Sequence, residues 1–509
     1  MINVSVTKAL LADLVVAGYG LFCPGGELTK EQRALCASLQ VPVDQLFERA
    51  AFTGSVGSTL NTFALHNGQL VNIIFVGVAK DASSPDEWLE GLRRSVGALA
   101  RAAEQLKVTD LAIDLPVFPD HGVSPFDGAK EVIATFYMAT YHFQQFITDK
   151  KRKLPEDYTL VLKTHASYDE ELEQGVEWGK RIGHAVCQAR QWCDLPAANL
   201  TPTELADTAA AIAHAHENLT CTIYNRSEIE KMGMGGVIGV SQGSTQEPRF
   251  VVLEYIPENE TKDLVALVGK GVTFDSGGLS IKPADRMDEM KDDMAGAAAV
   301  IATMQAIAHL KPNVRVVGCT PLVENLPSGS AMKPGDILVH YNGITSEVKN
   351  TDAEGRLILA DALAYVSATY NPTVIIDAAT LTGACAYALG PYFAGLMTQN
   401  RELEQRLIAA GRHSGDRLWA LPFFDDYKPA IKSDVADVCN IGSSAYRAGA
   451  VTAGFFLSHF VPEKMPWAHL DIAGTSFNVP DRSYYRPGAT GFGVRLFIEL
   501  LMNWQTFAS

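Results

Sequence analysis

Four acidic residues and two lysines stand at the ends of apolar runs in the second half of this 509-residue chain. The first group lies in Gly269-Lys270-Gly271-Val272-Thr273-Phe274-Asp275-Ser276-Gly277-Gly278, continuing to Lys282. The second is Met290-Lys291-Asp292-Asp293-Met294, and the third is Asn350-Thr351-Asp352-Ala353-Glu354-Gly355-Arg356-Leu357. Asp275, Asp293, Asp352 and Glu354 are the acidic candidates; Lys270 and Lys282 are the basic ones. Like charges raise one another's pKa and resist burial, so four carboxylates in one apolar crevice need added positive charge. Two divalent cations ~3.5–4 Å apart can share bridging carboxylates and a water, turn that water into a nucleophile and polarise a substrate carbonyl. Oxygen ligands suit Mg²⁺ and Mn²⁺, and Zn²⁺ also accepts carboxylates.

Each feature also has a plainer reading. Asp352 can serve as a helix N-cap with Glu354 in the first turn. Lys270 can be a solvated lysine after a strand, and Gly277-Gly278 an ordinary turn. Separate accidents do not account well for all of them falling on consecutive strand ends. Two other signals fail. Gly269-Lys270 resembles a phosphate-binding loop, but Gly271 stands where Ser or Thr must bind Mg²⁺, and Leu264 replaces the first glycine. Gly233, Gly235, Gly236 and Gly239 have the wrong spacing for a dinucleotide fingerprint, and no clear strand precedes them. The twelve histidines contain no HExxH pair. His214 and His216, two apart, face different sides of a helix.

The elements that must position these residues follow from periodicity. Leu264–Val268, Val314–Cys319 and Val374–Ile376 read as buried strands, alternating with helical patterns at Met294–Leu310 and Arg356–Ala368. Such alternation predicts a mostly parallel sheet flanked by helices, with ligands at the carboxyl ends of its strands. Upstream, Val71–Val78, Asp110–Leu115 and Thr159–Thr164 read as strands, and Pro85–Leu106 and Ala129–Thr148 as helices. The expected organisation is therefore α/β throughout. Residues 1–168 form a smaller N-terminal α/β domain, residues 169–195 a connecting helix, and residues 196–509 a larger catalytic domain.

Length and composition agree with a folded chain of two or more domains: 47% of residues are hydrophobic and 20% charged, which leaves ample apolar material for a large core. A net charge of −16 disfavours nucleic acid and anionic membranes as partners. No secretory signal or long uncharged apolar run is evident; Ala295–Leu310 and Val374–Leu389 come closest and read as buried elements. Eight cysteines without a CxxC pair suit reduced thiols in the cytoplasm.

The stretches VGKGVTFDSGGLSIK (Val268–Lys282), MKDDMAGAAAV (Met290–Val300), NTDAEGRL (Asn350–Leu357), AATLTGA (Ala378–Ala384) and WAHLDIAGTSF (Trp467–Phe477) resemble, in order, those of the leucyl aminopeptidase (cytosol aminopeptidase) family. The resemblance runs from about Arg190 to Leu496; the first ~165 residues carry no diagnostic motif. It implies a metal-dependent aminopeptidase that releases N-terminal residues, preferably leucine or other apolar ones, from short peptides by attack of a metal-bridging water. It implies two divalent ions per subunit: Zn²⁺ or Mn²⁺, with Mg²⁺ or Co²⁺ also admissible. Asp275 and Glu354 match the bridging carboxylates, Lys270 and Asp293 the other ligands of one ion, and Asp352 a ligand of the second. Lys282 and Arg356 match the catalytic residues that are not ligands. Arg356 would hold a bicarbonate ion as general base; no nearby histidine and no spare glutamate in these motifs offers itself for that job.

Two physical points bear on these roles. A lysine can ligate a metal only as a neutral amine, so burial and adjacent cations must depress the pKa of Lys270. A charged Lys282 suits an oxyanion. Met290, Thr380, Gly383, Ala473 and Ser476 match the pocket for the first substrate residue, and Ser476 departs from relatives with methionine there. The family also implies a homo-hexamer, a dimer of trimers. Two alternatives stand beside this reading: an additional DNA-binding role, and a dinuclear hydrolase of non-peptide substrates.

Overall fold

The computed structural model describes residues 2–165 and 169–507. The expected domain boundary at residue 168 lies outside the described residues. The chain divides into two compact units: Met1–Cys187 with Pro480–Arg486, and Gln188–Val479 with Pro487–Ser509. The division falls within one long helix, Asp169–Asp194.

The first unit is built on a six-stranded sheet in the order Ile2–Thr7, Tyr158–Lys163, Asp110–Asp114, Gly18–Pro24, Gln69–Val78, Thr59–His66. Every pairing is parallel except the last, a hairpin of Thr59–His66 with Gln69–Val78. Helix Pro85–Gln105 starts as its sequence predicts, with Ser84 accepting from the Glu87 N–H and proline in the first turn. The second expected helix differs. It spans Pro125–Thr140, capped by Ser124, and stops eight residues short of the expected Thr148. Tyr141 is extended there, and the Gln144 side chain satisfies the backbone of Leu154 in both directions, which fixes the following stretch as a loop.

The second unit carries a nine-stranded sheet. Its main path runs Leu418–Ala420, Ala394–Met397, Trp467–Asp471, Val374–Ala379, Leu264–Gly269, Arg315–Asn325, Arg249–Tyr255, Leu219–Tyr224, and Gly271–Asp275 adds to Arg315–Asn325. The central strands are parallel, and antiparallel pairing occurs toward the edges. Leu264–Gly269 and Val374–Ala379 are buried at every residue, which is why they read as unbroken apolar runs.

Strand alternation places the two covering helices on opposite faces. Val317 and Cys319 belong to the core cluster that includes Leu357–Val366 of helix Gly355–Tyr370. Gly318, between them, faces Val300 and Met304 of helix Ala295–Leu310. The stretch Met287–Leu310 is apolar and long enough to cross a membrane, yet 83% of its most apolar window is buried inside this unit, as befits a core helix.

Candidate active site

Most of the predicted site residues sit close to where an element of the second unit begins or ends. Lys270 follows Leu264–Gly269, and Asp275 closes Gly271–Asp275. Asp293 stands just before helix Ala295–Leu310, and Glu354 is the residue preceding helix Gly355–Tyr370. Thr380 follows Val374–Ala379, and Ala473 follows Trp467–Asp471. Asp352 is not the cap of the helix after it: Glu354 occupies the N-cap position without a side-chain capping bond. Asp352 instead turns its carboxylate to Lys282, 2.5 Å away.

The lysines divide the carboxylates between them. Lys270 Nζ lies 2.6 Å from Asp293 Oδ1, 2.9 Å from Glu354 Oε1 and 2.8 Å from the Thr380 carbonyl. Lys282 Nζ lies 2.8 Å from Asp275 Oδ2. Without metal, Lys270 is therefore an ammonium. Burial works against its charge, but Asp293, Glu354 and Asp275 outweigh burial and raise its pKa. Lys282 is raised in the same way, burial being overcome chiefly by Asp275 and Glu354. The neutral amine expected of a metal-ligating Lys270 thus requires a cation to displace its proton.

Four carboxylates still exceed two ammonium groups. Burial first, and then Glu354, push Asp275 up to about 6, and burial holds Asp293 well above the usual carboxylate range. Burial also raises Asp352. Burial opposes the charge of Glu354, but Lys270 and Lys282 bring its pKa below normal. Asp275, Asp293 and Glu354 each offer an oxygen within 4.8 Å of the others. Asp293 Oδ2 and Glu354 Oε2 are sealed from solvent and have no hydrogen-bond partner. A divalent cation satisfies such atoms, and the donor set fits one.

Glycines make the approach possible. Gly277, at φ +86°, would place a Cβ 2.7 Å from Asp352 Oδ1 and 2.5 Å from the Ser280 carbonyl. Gly355 would place one 2.4 Å from Lys270 Cε.

Lys270, Asp275, Lys282, Met290, Asp293, Asp352, Glu354, Arg356, Thr380, Gly383 and Ala473 all line one cavity of about 930 Å³. Ser476 is not on its wall; its hydroxyl donates to Asp292 Oδ2 at 2.8 Å. Arg356 is buried, donates through Nη1 to the Asn440 carbonyl at 2.8 Å, and leaves Nε without a partner. Burial lowers its pKa to about 10, so it stays charged at neutral pH. An oriented, unpartnered guanidinium nitrogen fits a small oxyanion such as bicarbonate.

Several contributors escape a reading by motif alone. Asn325 donates to Asp275 Oδ1 at 2.8 Å and to the Thr351 carbonyl at 3.0 Å, which ties the first metal-site loop to the third. Asn440 bonds the Asn350 and Ala353 carbonyls from below. Asp471 accepts from the N–H groups of Leu381, Thr382 and Ala473 and from the Thr382 hydroxyl, which fixes two wall loops at once. His469 corrects the expectation that no histidine stands near. It is fully buried, 2.6 Å from Asp377, and within electrostatic reach of Arg356. It lies within a strand and off the cavity wall. A charged residue inside an apolar strand run, as in Val374-Ile375-Ile376-Asp377 and His469-Leu470-Asp471, is the signal that could have marked these positions.

Comparison with known proteins places these features in company. Residues 187–498 match the catalytic domain, and residues 18–150 the N-terminal domain, of the cytosol aminopeptidase family. A protein described as "probable cytosol aminopeptidase" from Desulforapulum autotrophicum is 40% identical over 511 residues, covering 98% of this chain and 96% of the relative. One so described from Chlorobium phaeobacteroides is 40% identical, covering 99% of each. Among solved structures, the bottromycin maturation enzyme BotP in complex with Mn has a TM-score of 0.84 at 31% identity, over 96% of this chain and 99% of that one. A mutant of tomato leucine aminopeptidase has a TM-score of 0.87 at 30% identity, over 99% and 96%.

Proposed function

Since the chain belongs to the cytosol aminopeptidase family, it is a metallo-aminopeptidase, and we propose that it removes leucine and other apolar residues from the N-termini of short peptides. The observation that carries this reading is the set of buried, unpartnered carboxylate oxygens of Asp293 and Glu354 facing the same cavity as Lys282 and Arg356.

In this reading Asp275 and Glu354 would be shared by two divalent ions, Lys270 and Asp293 would complete one site, and Asp352 would serve the other. Zn²⁺ or Mn²⁺ are the proposed ions; Mg²⁺ and Co²⁺ suit the same donors. Bound there, such ions would supply Lewis acidity toward the scissile carbonyl and would acidify a water for attack near neutral pH.

The chain's own groups do the rest. Lys282, whose side chain is 21% exposed at the cavity wall, stays charged and faces the oxyanion that develops on the carbonyl. Arg356 would orient a bicarbonate ion, which would supply a general base. The Asn440 carbonyl holds the guanidinium in place for this. Asp471 holds the loops bearing Thr380, Gly383 and Ala473, against which, with Met290, the first side chain rests. Ser476 backs this pocket through Asp292. A free substrate α-amine is required because it has to reach the same carboxylate-lined floor. A homo-hexamer in the cytoplasm, with neither membrane nor nucleic acid as partner, completes the proposal.

The test is a titration of the chelated protein with Mn²⁺, Zn²⁺, Co²⁺ and Mg²⁺ against leucinamide and N-acetyl-leucinamide. Metal-dependent hydrolysis of the first alone is expected. Equal hydrolysis of both would end the aminopeptidase reading, and activity that survives complete chelation would end the metal assignment.

A further inference from the structure

We infer that the first-residue pocket also accepts lysine and arginine, with Asp292 receiving the charged end of the side chain. This rests on the aminopeptidase reading of the cavity and adds a substrate class to it.

Asp292 lies among the residues proposed to hold the first side chain. It lines the same cavity as Met290, Thr380, Gly383 and Ala473, and it binds Ser476. It is 6% exposed, so a carboxylate has been taken out of water at the bottom of a substrate pocket. One oxygen, Oδ2, accepts the Ser476 hydroxyl. The other has no hydrogen-bond partner among the described residues, yet it is not sealed, because Asp292 is part of the cavity wall.

No cation forms a salt bridge with Asp292 among the described residues, and Lys270 eases its charge only from a distance. Lys270 is held by Asp293 and Glu354, and Lys282 by Asp275 and Asp352. Lys291 is turned away, donating to the Asp194 carbonyl at 2.7 Å with its charge over the Phe477 ring. A buried carboxylate with a free oxygen and no direct salt-bridge partner is costly. The same cost makes it selective, since a ligand that supplies a donor recovers the lost interaction. Lysine and arginine meet both demands of the pocket. Their aliphatic stems can lie on Met290 and Ala473 as a leucine would, and their charged ends reach farther, to Asp292. A leucine side chain fills the same wall and leaves the Asp292 oxygen unserved.

The experiment uses the full-length, Mn²⁺-loaded protein with leucine, methionine, lysine and arginine amides, and metal content is measured for every variant. The wild type is expected to hydrolyse the lysine and arginine amides with kcat/KM within about tenfold of leucinamide. Asp292→Asn and Asp292→Ala should lower the lysine-to-leucine ratio of kcat/KM by about tenfold or more, chiefly through KM. Ser476→Met, which covers Asp292 with an apolar chain, should lower the ratio in the same direction and serves if the Asp292 variants do not fold. An unchanged ratio in the variants, or a wild type that cleaves leucinamide but neither basic amide, overturns the proposal. Failure to cleave any amide overturns the aminopeptidase reading first, and this proposal with it.

Discussion

Asp293 and Glu354 stand at the first turns of two helices that cover opposite faces of the same sheet, and they meet at its carboxyl edge around one ammonium, that of Lys270. The positive ends of both helix dipoles therefore point into the site. Each helix start thus contributes one carboxylate to the site: Glu354, whose pKa the two lysines bring below normal, and Asp293, which burial raises.

Asp275→Ala and Glu354→Ala should each reduce leucinamide hydrolysis by at least about a thousandfold, because each removes a ligand shared by both proposed ions. The fold should persist, since removing one of several crowded carboxylates relieves repulsion in the metal-free state. Activity, metal stoichiometry and circular dichroism measured on the same samples check this; near-normal turnover in either variant refutes the bridging role.

Lys282→Ala is expected to lower kcat by about a hundredfold to a thousandfold while metal content stays close to that of the wild type. Loss of one ion from the variant would instead make Lys282 part of the site's structural charge balance alone.

Gly355→Ala tests packing without touching a polar group. The added methyl would sit 2.4 Å from Lys270 Cε, so the lysine must move. Gly355 opens its helix, so little propensity is gained, and the clash with a buried lysine should lower thermal stability by about 1–3 kcal/mol while activity and metal affinity fall. Retained affinity would show that Lys270 has room to spare.

Metal should stabilise this protein more at neutral than at acid pH. Asp275 rises to about 6 on folding, and Asp293 is held well above the usual carboxylate range. The folded, metal-free chain then holds protons that the unfolded chain releases near pH 4. Its stability from these groups is full below that point and is lost as pH climbs through about 6. Metal replaces those protons, so the rise in Tm on adding Mn²⁺ should grow between about pH 4 and pH 7. Differential scanning calorimetry across that range reads it directly, and a constant increment contradicts the proposed ligand set.

What the sequence made legible was chemistry clustered within a few residues. Asn350–Leu357 and Val268–Lys282 could be read because their acidic and basic positions follow strands whose apolar runs are unmistakable. Asn325 and Asn440 could not be found that way. They act on Asp275 and Arg356 across 50 and 84 residues, and no periodicity records such a contact. The overlong helix expected at 129–148 failed for a related reason. Its pattern continues past Thr140, but the decisive bonds come from a side chain that pairs ten residues downstream. Asp292 was legible only as half of an acidic doublet; burial beside Ser476 distinguishes it from Asp293.

Lys270 and Lys282 together carry half the countercharge of the four carboxylates they face. The chain thus brings its own placeholder ions to the site. Each of the four carboxylates has an ammonium neighbour from the chain itself, so loss of the ions need not carry the fold with it.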